Sequence, residues 1–304
     1  MAPRTSREVN TESQHRPAPV RFHIPDATMR RYTELVGDAS SLHTSAEFAR
    51  TTVYGAIIAY GVMPVFYLSL LKWRDSFPVR LRFRRLSANF NQPVFIGEPL
   101  ELAVTHLSTA DGEVEIEYEV LNRDTRAVVT TGAALLAPAD AMPDALANVP
   151  ASPHARLQAQ ALVEQCREFA DINKGDAAGF DVVLSGEAMR SLHEMILLGA
   201  ESPRLEWREW LENCDAGSLL LAPLFTTVIG MFLPGKRGTC ANFEAAFPQA
   251  PPLGARARMD ATVAFKSAST STILVNMALT DTTTGASFAS GKVHARVQPP
   301  PGVA

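Results

Sequence analysis

This chain of 304 residues has little of the chemistry that marks several classes of protein. Its three cysteines, Cys166, Cys214 and Cys240, are far apart and odd in number, so they indicate neither a metal site nor a disulfide framework. Its formal net charge of -4 leaves no dominant basic surface, which excludes a general nucleic-acid or polyanion binder. We therefore expect a protein of a reducing, cytoplasmic compartment with no nucleic-acid partner.

The termini lack apolar segments, and the long apolar segments lack the features of membrane spans. Residues 1–19 are polar, without a signal-peptide core, and are interpreted as a disordered lead-in; the proline-rich residues 299–304 are interpreted as a tail. Two stretches, 51–71 and 216–235, contain no charge and reach the ~20 residues of a spanning helix. Both contain glycine, proline and hydroxyl side chains, and strongly patterned strands follow each. They predict buried helices near 61–73 and 217–233, with no membrane partner.

Each uncharged stretch is followed by segments in which apolar and polar residues alternate, the pattern of antiparallel strands with one wet face. These segments are 79–86, 100–105, 114–120 and 127–136 in the first half, and 256–263, 271–279 and 292–297 in the second. The spacing from Phe90 to Gly97 recurs from Phe247 to Gly254. One plan used twice predicts an α+β fold with an internal duplication.

The duplication predicts two structural units, 20–138 and 155–298, joined by a linker over 139–154 that is rich in proline and alanine. Residues 155–212 are interpreted as a helical segment of the second unit. Within them, the segment 162–169 predicts a helix. This helical insertion either extends the second unit or forms a lid.

The segment Gly37-Asp38-Ala39-Ser40-Ser41-Leu42-His43, followed by Ala49, has the residues of a proton-transfer site. Its short polar side chains favour a turn, because they hydrogen-bond neighbouring backbone groups. The next residues, 44–47, are typical of a capping box that opens a short helix, which places His43 just outside a helix start. An aspartate and a histidine on one loop can converge on a single proton. From spacing alone, a surface aspartate and a histidine packed on the helix explain the segment equally well.

This segment resembles the signature of the MaoC-like, (R)-specific enoyl-thioester hydratase and dehydratase family, Gly-Asp-x-Asn-Pro-aliphatic-His-x5-Ala. Ser40 and Ser41 replace the usual Asn-Pro and are interpreted as loop support. The resemblance implies a hot-dog fold, in which a curved antiparallel sheet wraps a central helix. With the duplication it implies a double hot-dog, a pseudo-dimer within one chain that leaves a further homodimer open.

The resemblance also implies roles for individual residues. Asp38 and His43 match the catalytic pair, and Gly61 matches a glycine whose N–H polarises the thioester carbonyl at the start of the central helix. Ser69 matches a serine that holds the site in some members. Tyr60 departs from the family pattern, as does the valine after Gly61. Two alternatives stay open: Gly61 only permits the turn, and Ser69 only bonds the carbonyl four residues back.

The second half lacks the catalytic pair. Gly175-Asp176 is the nearest echo, but Asp181 stands where a histidine is required. His193-Glu194 has no second histidine four residues on, so it does not indicate a zinc site. We therefore expect one active site per chain, with the second repeat's helix forming one wall of an apolar tunnel.

By this resemblance the protein is a hydro-lyase. It would hydrate 2-enoyl thioesters and dehydrate (3R)-hydroxyacyl thioesters by acid–base catalysis, with coenzyme A or an acyl carrier protein as the carrier and no cofactor or metal. The alternatives are a hot-dog thioesterase and a non-catalytic thioester-binding or scaffold subunit. The arginines at 80, 82, 84 and 85 could contact a phosphate or an acidic carrier protein, although a solvated strand face explains them too.

Overall fold

The structure, a computed structural model, describes residues 16–299. The strands are β1 (Val20–Phe22), β2 (Leu81–Phe90), β3 (Leu100–Ala110), β4 (Glu113–Asn122), β5 (Val128–Pro138), β6 (Ala177–Leu184), β7 (Ala200–Ser202), β8 (Cys214–Asp215), β9 (Gly238–Ala246), β10 (Ala255–Ser267), β11 (Thr272–Asp281) and β12 (Ser287–Val297). The α-helices are α1 (Asp26–Val36), α2 (Ser41–Thr44), α3 (Ala46–Arg50), α4 (Met63–Phe66), α5 (Trp73–Ser76), α6 (Asp144–Ala147), α7 (Gly186–Gly199), α8 (Trp207–Asn213) and α9 (Gly217–Met231). Most of the predicted lead-in and tail lies outside the described residues.

The strands form one 12-stranded sheet in the order β6-β10-β11-β12-β9-β2-β5-β4-β3-β1-β7, with β8 beside β2. The pairing is antiparallel except for the two-residue β2–β8 contact. Strands β9 and β2 pair at the centre, and the order on one side of them mirrors the order on the other. This is the arrangement of a double hot-dog, and the predicted α+β class is confirmed.

The central helix of the second repeat, α9, lies where the uncharged stretch predicts it. Almost all of its residues are buried, and it packs on β9, β12 and β2. Burial of an all-apolar helix within a domain removes the need for a lipid environment. Among residues 16–299, no helix is both long and apolar enough to cross a membrane.

The predicted helix near 61–73 is much shorter than expected. It consists of α4 followed by a 3-10 turn over Tyr67–Leu70. The side-chain amide of Asn213 donates to the carbonyls of Ser69 and Leu71, at 3.1 and 2.8 Å. These carbonyls would otherwise accept helical hydrogen bonds, so the chain leaves the helical path here.

The predicted helix over 162–169 is wrong, because this segment is extended apart from a 3-10 turn over Phe169–Asp171. Its backbone groups are bound elsewhere in the chain. The Gln165 N–H donates to the Met231 carbonyl at 2.7 Å, and the Gln165 carbonyl accepts from the Lys236 N–H at 2.8 Å. The helical part of the insertion begins later, in α7 and α8.

Candidate active site

The loop that carries Asp38 begins where α1 ends at Gly37. Gly37 has a φ of 73°, and its N–H caps the helix by donating to the Thr33 carbonyl at 2.8 Å. The positive φ favours glycine at this turn, and a side chain here would also force the Gln158 side chain to move, since its Oε1 would be 2.3 Å away. The Asp38 side chain then turns inward, 2% exposed, and its Oδ1 accepts the Ser40 N–H at 3.1 Å.

His43 lies in α2, one short helical turn, rather than just outside a helix start as expected. Its Nδ1 lies 2.8 Å from the Ile58 carbonyl oxygen. Because a carbonyl only accepts, Nδ1 must carry the proton, which leaves the lone pair on Nε2. Burial lowers the pKa of His43 to about 4, against the opposing effect of the Ile58 hydrogen bond. At neutral pH the side chain is therefore a neutral base with a fixed tautomer.

Tyr60 joins the two candidate catalytic residues. Its ring centroid lies 4.0 Å from that of His43, and its hydroxyl donates to the Asp38 backbone carbonyl. A second hydrogen bond, of 2.8 Å, links the hydroxyls of Tyr60 and Thr33. From the sequence, Tyr60 is only a departure from the family pattern. Its position next to Gly61, where the family pattern has another residue type, was the available signal.

Asp38, His43 and Gly61 line one pocket of about 390 Å³. Part of its wall comes from the second repeat, through Thr226 and Gly230 of α9. A side chain at Gly61 would meet the ring of Phe90 at 3.1 Å, so a larger residue here would crowd Phe90, which lines the same pocket. No acceptor within residues 16–299 is paired with the Gly61 N–H.

The surroundings of Asp38 favour its protonated form. Burial raises the pKa of Asp38 to about 6; the negative charge of Glu164 adds to this rise, and the nearby Ser40 and Thr227 hydroxyls oppose it. Neither hydroxyl oxygen has another hydrogen-bond partner among the described residues. The carboxyl group is thus poised to gain and lose a proton close to neutral pH.

Ser69 is not brought to this pocket. It is fully buried, and its hydroxyl donates to the Phe66 carbonyl at 2.7 Å. This is the alternative in which Ser69 only bonds a preceding backbone carbonyl, although the carbonyl is three residues back rather than four. Ser40 is buried beside Asp38. Ser41 faces outward from the loop, and both its N–H and its hydroxyl donate to the carboxylate of Glu164.

The Gly175-Asp176 pair of the second repeat, which resembles Gly37-Asp38 in sequence, does not occupy the position that corresponds to the loop 37–43. Asp176 precedes β6, hydrogen-bonds to Arg167 and the Asn173 N–H, and has a lowered pKa, chiefly because of the Asn173 contact. In the mirrored sheet, β6 and α7 correspond to β1 and α1, so the counterpart of residues 37–43 is 199–205, after α7. There Ala200 replaces the aspartate and Leu205 the histidine.

Two of the four candidate arginines are engaged elsewhere. Arg80 donates to the Leu211 carbonyl at 2.7 Å, and Arg82 donates to the Pro248 carbonyl at 3.4 Å. A larger depression of about 630 Å³ lies on the outer face of the sheet at the β2–β9 junction. Its lining includes Glu115, Glu244 and Lys292 but no histidine or cysteine. The pocket at Asp38 is therefore the candidate active site.

Residues 4–128 match the family described as MaoC like domain. The structure is similar to a MaoC-like dehydratase, with 14% identity, a TM-score of 0.65, and coverage of 93% of this chain and 97% of that one. It is similar to a conserved hypothetical protein from Mycobacterium tuberculosis with a double hotdog fold, at 13% identity and a TM-score of 0.60, covering 93% and 96%. A protein described as an oleoyl thioesterase from Lactobacillus plantarum is also similar, at 8% identity and a TM-score of 0.53, covering 93% and 98%. No curated protein matches the sequence. At these identities the likeness in structure shows the fold alone.

Proposed function

We propose, since residues 4–128 match the MaoC like domain, that this protein reversibly hydrates 2-enoyl thioesters and dehydrates (3R)-hydroxyacyl thioesters. The observation that carries the proposal is that Asp38, His43 and Gly61 line one pocket. They supply a carboxyl group, a neutral imidazole and an N–H that has no acceptor within residues 16–299. Acid, base and carbonyl-binding group are the three functions that this reaction requires.

In the dehydration direction, the Gly61 N–H donates to the thioester carbonyl oxygen and stabilises the enolate that develops there. His43 Nε2 removes the proton from C2. Asp38, in its protonated form, gives its proton to the C3 hydroxyl, which leaves as water. Hydration follows the same steps in reverse. Because α4 is a single turn, we assign the stabilisation to the N–H itself and little to a helix dipole.

The carrier end of the substrate has a candidate contact at the edge of the pocket. Arg296, an exposed residue of β12, lines the pocket near Tyr54. Its guanidinium forms no ion pair with any residue of the described chain. We propose that Arg296 faces the phosphates of coenzyme A or of a carrier protein's phosphopantetheine arm, since a guanidinium binds phosphate in a forked geometry.

Loss of the enoyl-thioester absorbance without release of thiol, measured with coenzyme A and carrier-protein substrates of several chain lengths, tests the proposal. Asp38→Asn and His43→Ala should each lower kcat by about 10²–10⁴-fold, the usual contribution of a general acid or base. Asp176→Asn is the matched control and should leave kcat unchanged. If Asp176→Asn abolishes turnover and the first-repeat variants do not, the site has been assigned to the wrong repeat.

The second candidate is thioester hydrolysis. It is favoured by the likeness to the described oleoyl thioesterase and by Asp38, whose carboxylate can activate a water molecule. Release of free thiol from the same substrates would support this activity. Substrate binding with neither thiol release nor hydration would support a non-catalytic thioester-binding subunit.

A further inference from the structure

Glu164 makes an unusual contact with the loop that carries the candidate catalytic pair. Ser41 is the first residue of α2, the helical turn that holds His43. Its N–H donates to Oε1 of Glu164 at 2.7 Å, and its hydroxyl donates to Oε2. The Glu164 carboxylate thus accepts hydrogen bonds from both donors of Ser41, a residue 123 positions away in the chain.

The segment that presents Glu164 is itself fixed to the wall of the pocket. The next residue, Gln165, is hydrogen-bonded to Met231 at the end of α9 and to Lys236 beyond it. The neighbouring Gly230 lies so close to the loop that a side chain there would be 3.2 Å from Oδ1 of Asp38. Glu164 therefore holds the loop to the same part of the second repeat that the Asp38 side chain approaches.

We propose that Glu164 is a positioning residue for this active site, which locks residues 38–43 in place of the Asn-Pro pair that this sequence lacks. The inference rests on the proposed function. Ser40 has φ -58° and ψ 136°, close to the polyproline II conformation and compatible with a proline at the next position. Ser41 stands at the first helical position. The N–H at this position has no partner within the helix, so proline, which has no N–H, is favoured there. Serine there leaves an N–H that needs an acceptor, and Glu164 supplies it.

The Glu164 carboxylate has a second, separable effect through its charge. The titratable groups around Asp38 are Glu164, Tyr32 and Tyr60, with His43 on the same pocket. The pKa of each tyrosine is raised far above its ordinary value, mainly by burial, and that of His43 is lowered to about 4, so these three side chains are neutral at neutral pH. Glu164 is the neighbour whose negative charge raises the pKa of Asp38. A neutral isostere should therefore lower the pKa of Asp38 while keeping the loop in place.

Three variants separate these effects. Glu164→Ala removes the acceptor and should lower kcat by roughly 10- to 100-fold, since a displacement of about 1 Å can cost 10²-fold. Glu164→Gln keeps one acceptor for the Ser41 N–H and should retain most of kcat, with the pH limb assigned to Asp38 moved to lower pH. Glu168→Ala is the matched control, because Glu168 lies on the same segment but pairs with Arg237. It should leave kcat and the pH profile unchanged.

Hydrogen–deuterium exchange gives a readout that does not depend on turnover. Glu164→Ala should raise amide exchange over residues 37–45 but not in the β-sheet, whereas Glu168→Ala should not. The most specific test uses the double variant Ser40→Asn/Ser41→Pro, which restores the family pair. In that background Glu164→Ala should have no further effect on loop exchange or on kcat at the pH optimum, and only the pH limb assigned to Asp38 should still move to lower pH.

The outcomes distinguish this inference from the proposed function. If the wild-type protein shows no hydration, the proposed function fails, and loop exchange alone then decides whether Glu164 holds the loop. Unchanged exchange in Glu164→Ala overturns the inference whatever the activity. Raised exchange with wild-type kcat overturns the positioning role. If Glu164→Ala lowers kcat as much in the Asn-Pro background as in the wild type, Glu164 does not take the place of the Asn-Pro pair.

Discussion

Replacing Asp38 with asparagine should stabilise the folded protein at neutral pH while it removes activity. The carboxyl group is 2% exposed, and burial is the main reason that its pKa rises to about 6. Asparagine has nearly the same shape and keeps an oxygen that accepts the Ser40 N–H. The principal change is therefore the loss of a buried charge.

The magnitude follows from the difference between the two states. Asp38 has an ordinary pKa of 3.8 in the unfolded chain and about 6 in the folded protein, so the folded state holds the proton more tightly. The associated stability is complete below about pH 4 and is lost as the pH rises through 6. Full ionisation of Asp38 therefore lowers the free energy of unfolding by about 3 kcal/mol, at 1.36 kcal/mol per unit of pKa difference. Asp38→Asn should recover up to that amount at pH 7.5 and almost nothing at pH 4.

Urea unfolding of the wild type and the variant at pH 4 and pH 7.5 measures this difference. His43 titrates in both proteins, so its contribution cancels in the comparison. Asp176→Asn is the control. Hydrogen bonds lower the pKa of Asp176, so the folded protein favours its charged form and asparagine should not raise the free energy of unfolding. An Asp38→Asn protein that is less stable than the wild type at pH 7.5, or equally changed at both pH values, would refute the reasoning.

Three further predictions concern catalysis. Dehydration requires neutral His43 and protonated Asp38, so kcat/KM should fall about tenfold per pH unit above about pH 6 and below about pH 4, as a pH–rate profile would show. Gly230→Ala should lower kcat/KM, because the added Cβ would lie 3.1 Å from the Ser40 hydroxyl oxygen. Alanine also stabilises the helix by about 1 kcal/mol, so thermal unfolding and kinetics should be measured together to separate the two effects. Arg296→Gln should raise KM for coenzyme A thioesters but leave it unchanged for a thioester of a small uncharged thiol, because the arginine would face only the carrier phosphates.

The sequence predicts those parts of the fold whose signal is local. Strands β3, β4 and β11 have alternating residues with one buried face, and each is found where the alternation places it. Strands β6 and β9 were missed because their small and mixed residues do not alternate clearly, although β9 lies at the centre of the sheet. The shortening of the first central helix depends on Asn213, 144 positions beyond Ser69, so no local pattern could reveal it.

The same division applies to the site. The spacing of Asp38 and His43 is a local signal, and both residues line one pocket. The contacts of Glu164 with the loop and of Gly230 with Asp38 arise from packing between the repeats. Residues that hold a catalytic loop from another part of the chain have no fixed spacing to it. They become visible only when the fold is known.

The counterpart of the catalytic loop in the second repeat has a different environment. Its residues 200–202 form β7, which pairs with β1 and is the edge strand of the sheet. Gly199 lies against the Tyr67 hydroxyl, and the Tyr67 ring stacks on Phe22 at 3.7 Å. Aromatic packing therefore lies against this position, whereas the corresponding residues of the first repeat line a pocket beside α9. The second repeat differs from the first here in packing as well as in its lack of an acid and a base, so we expect that adding those two side chains would not by itself create a second site.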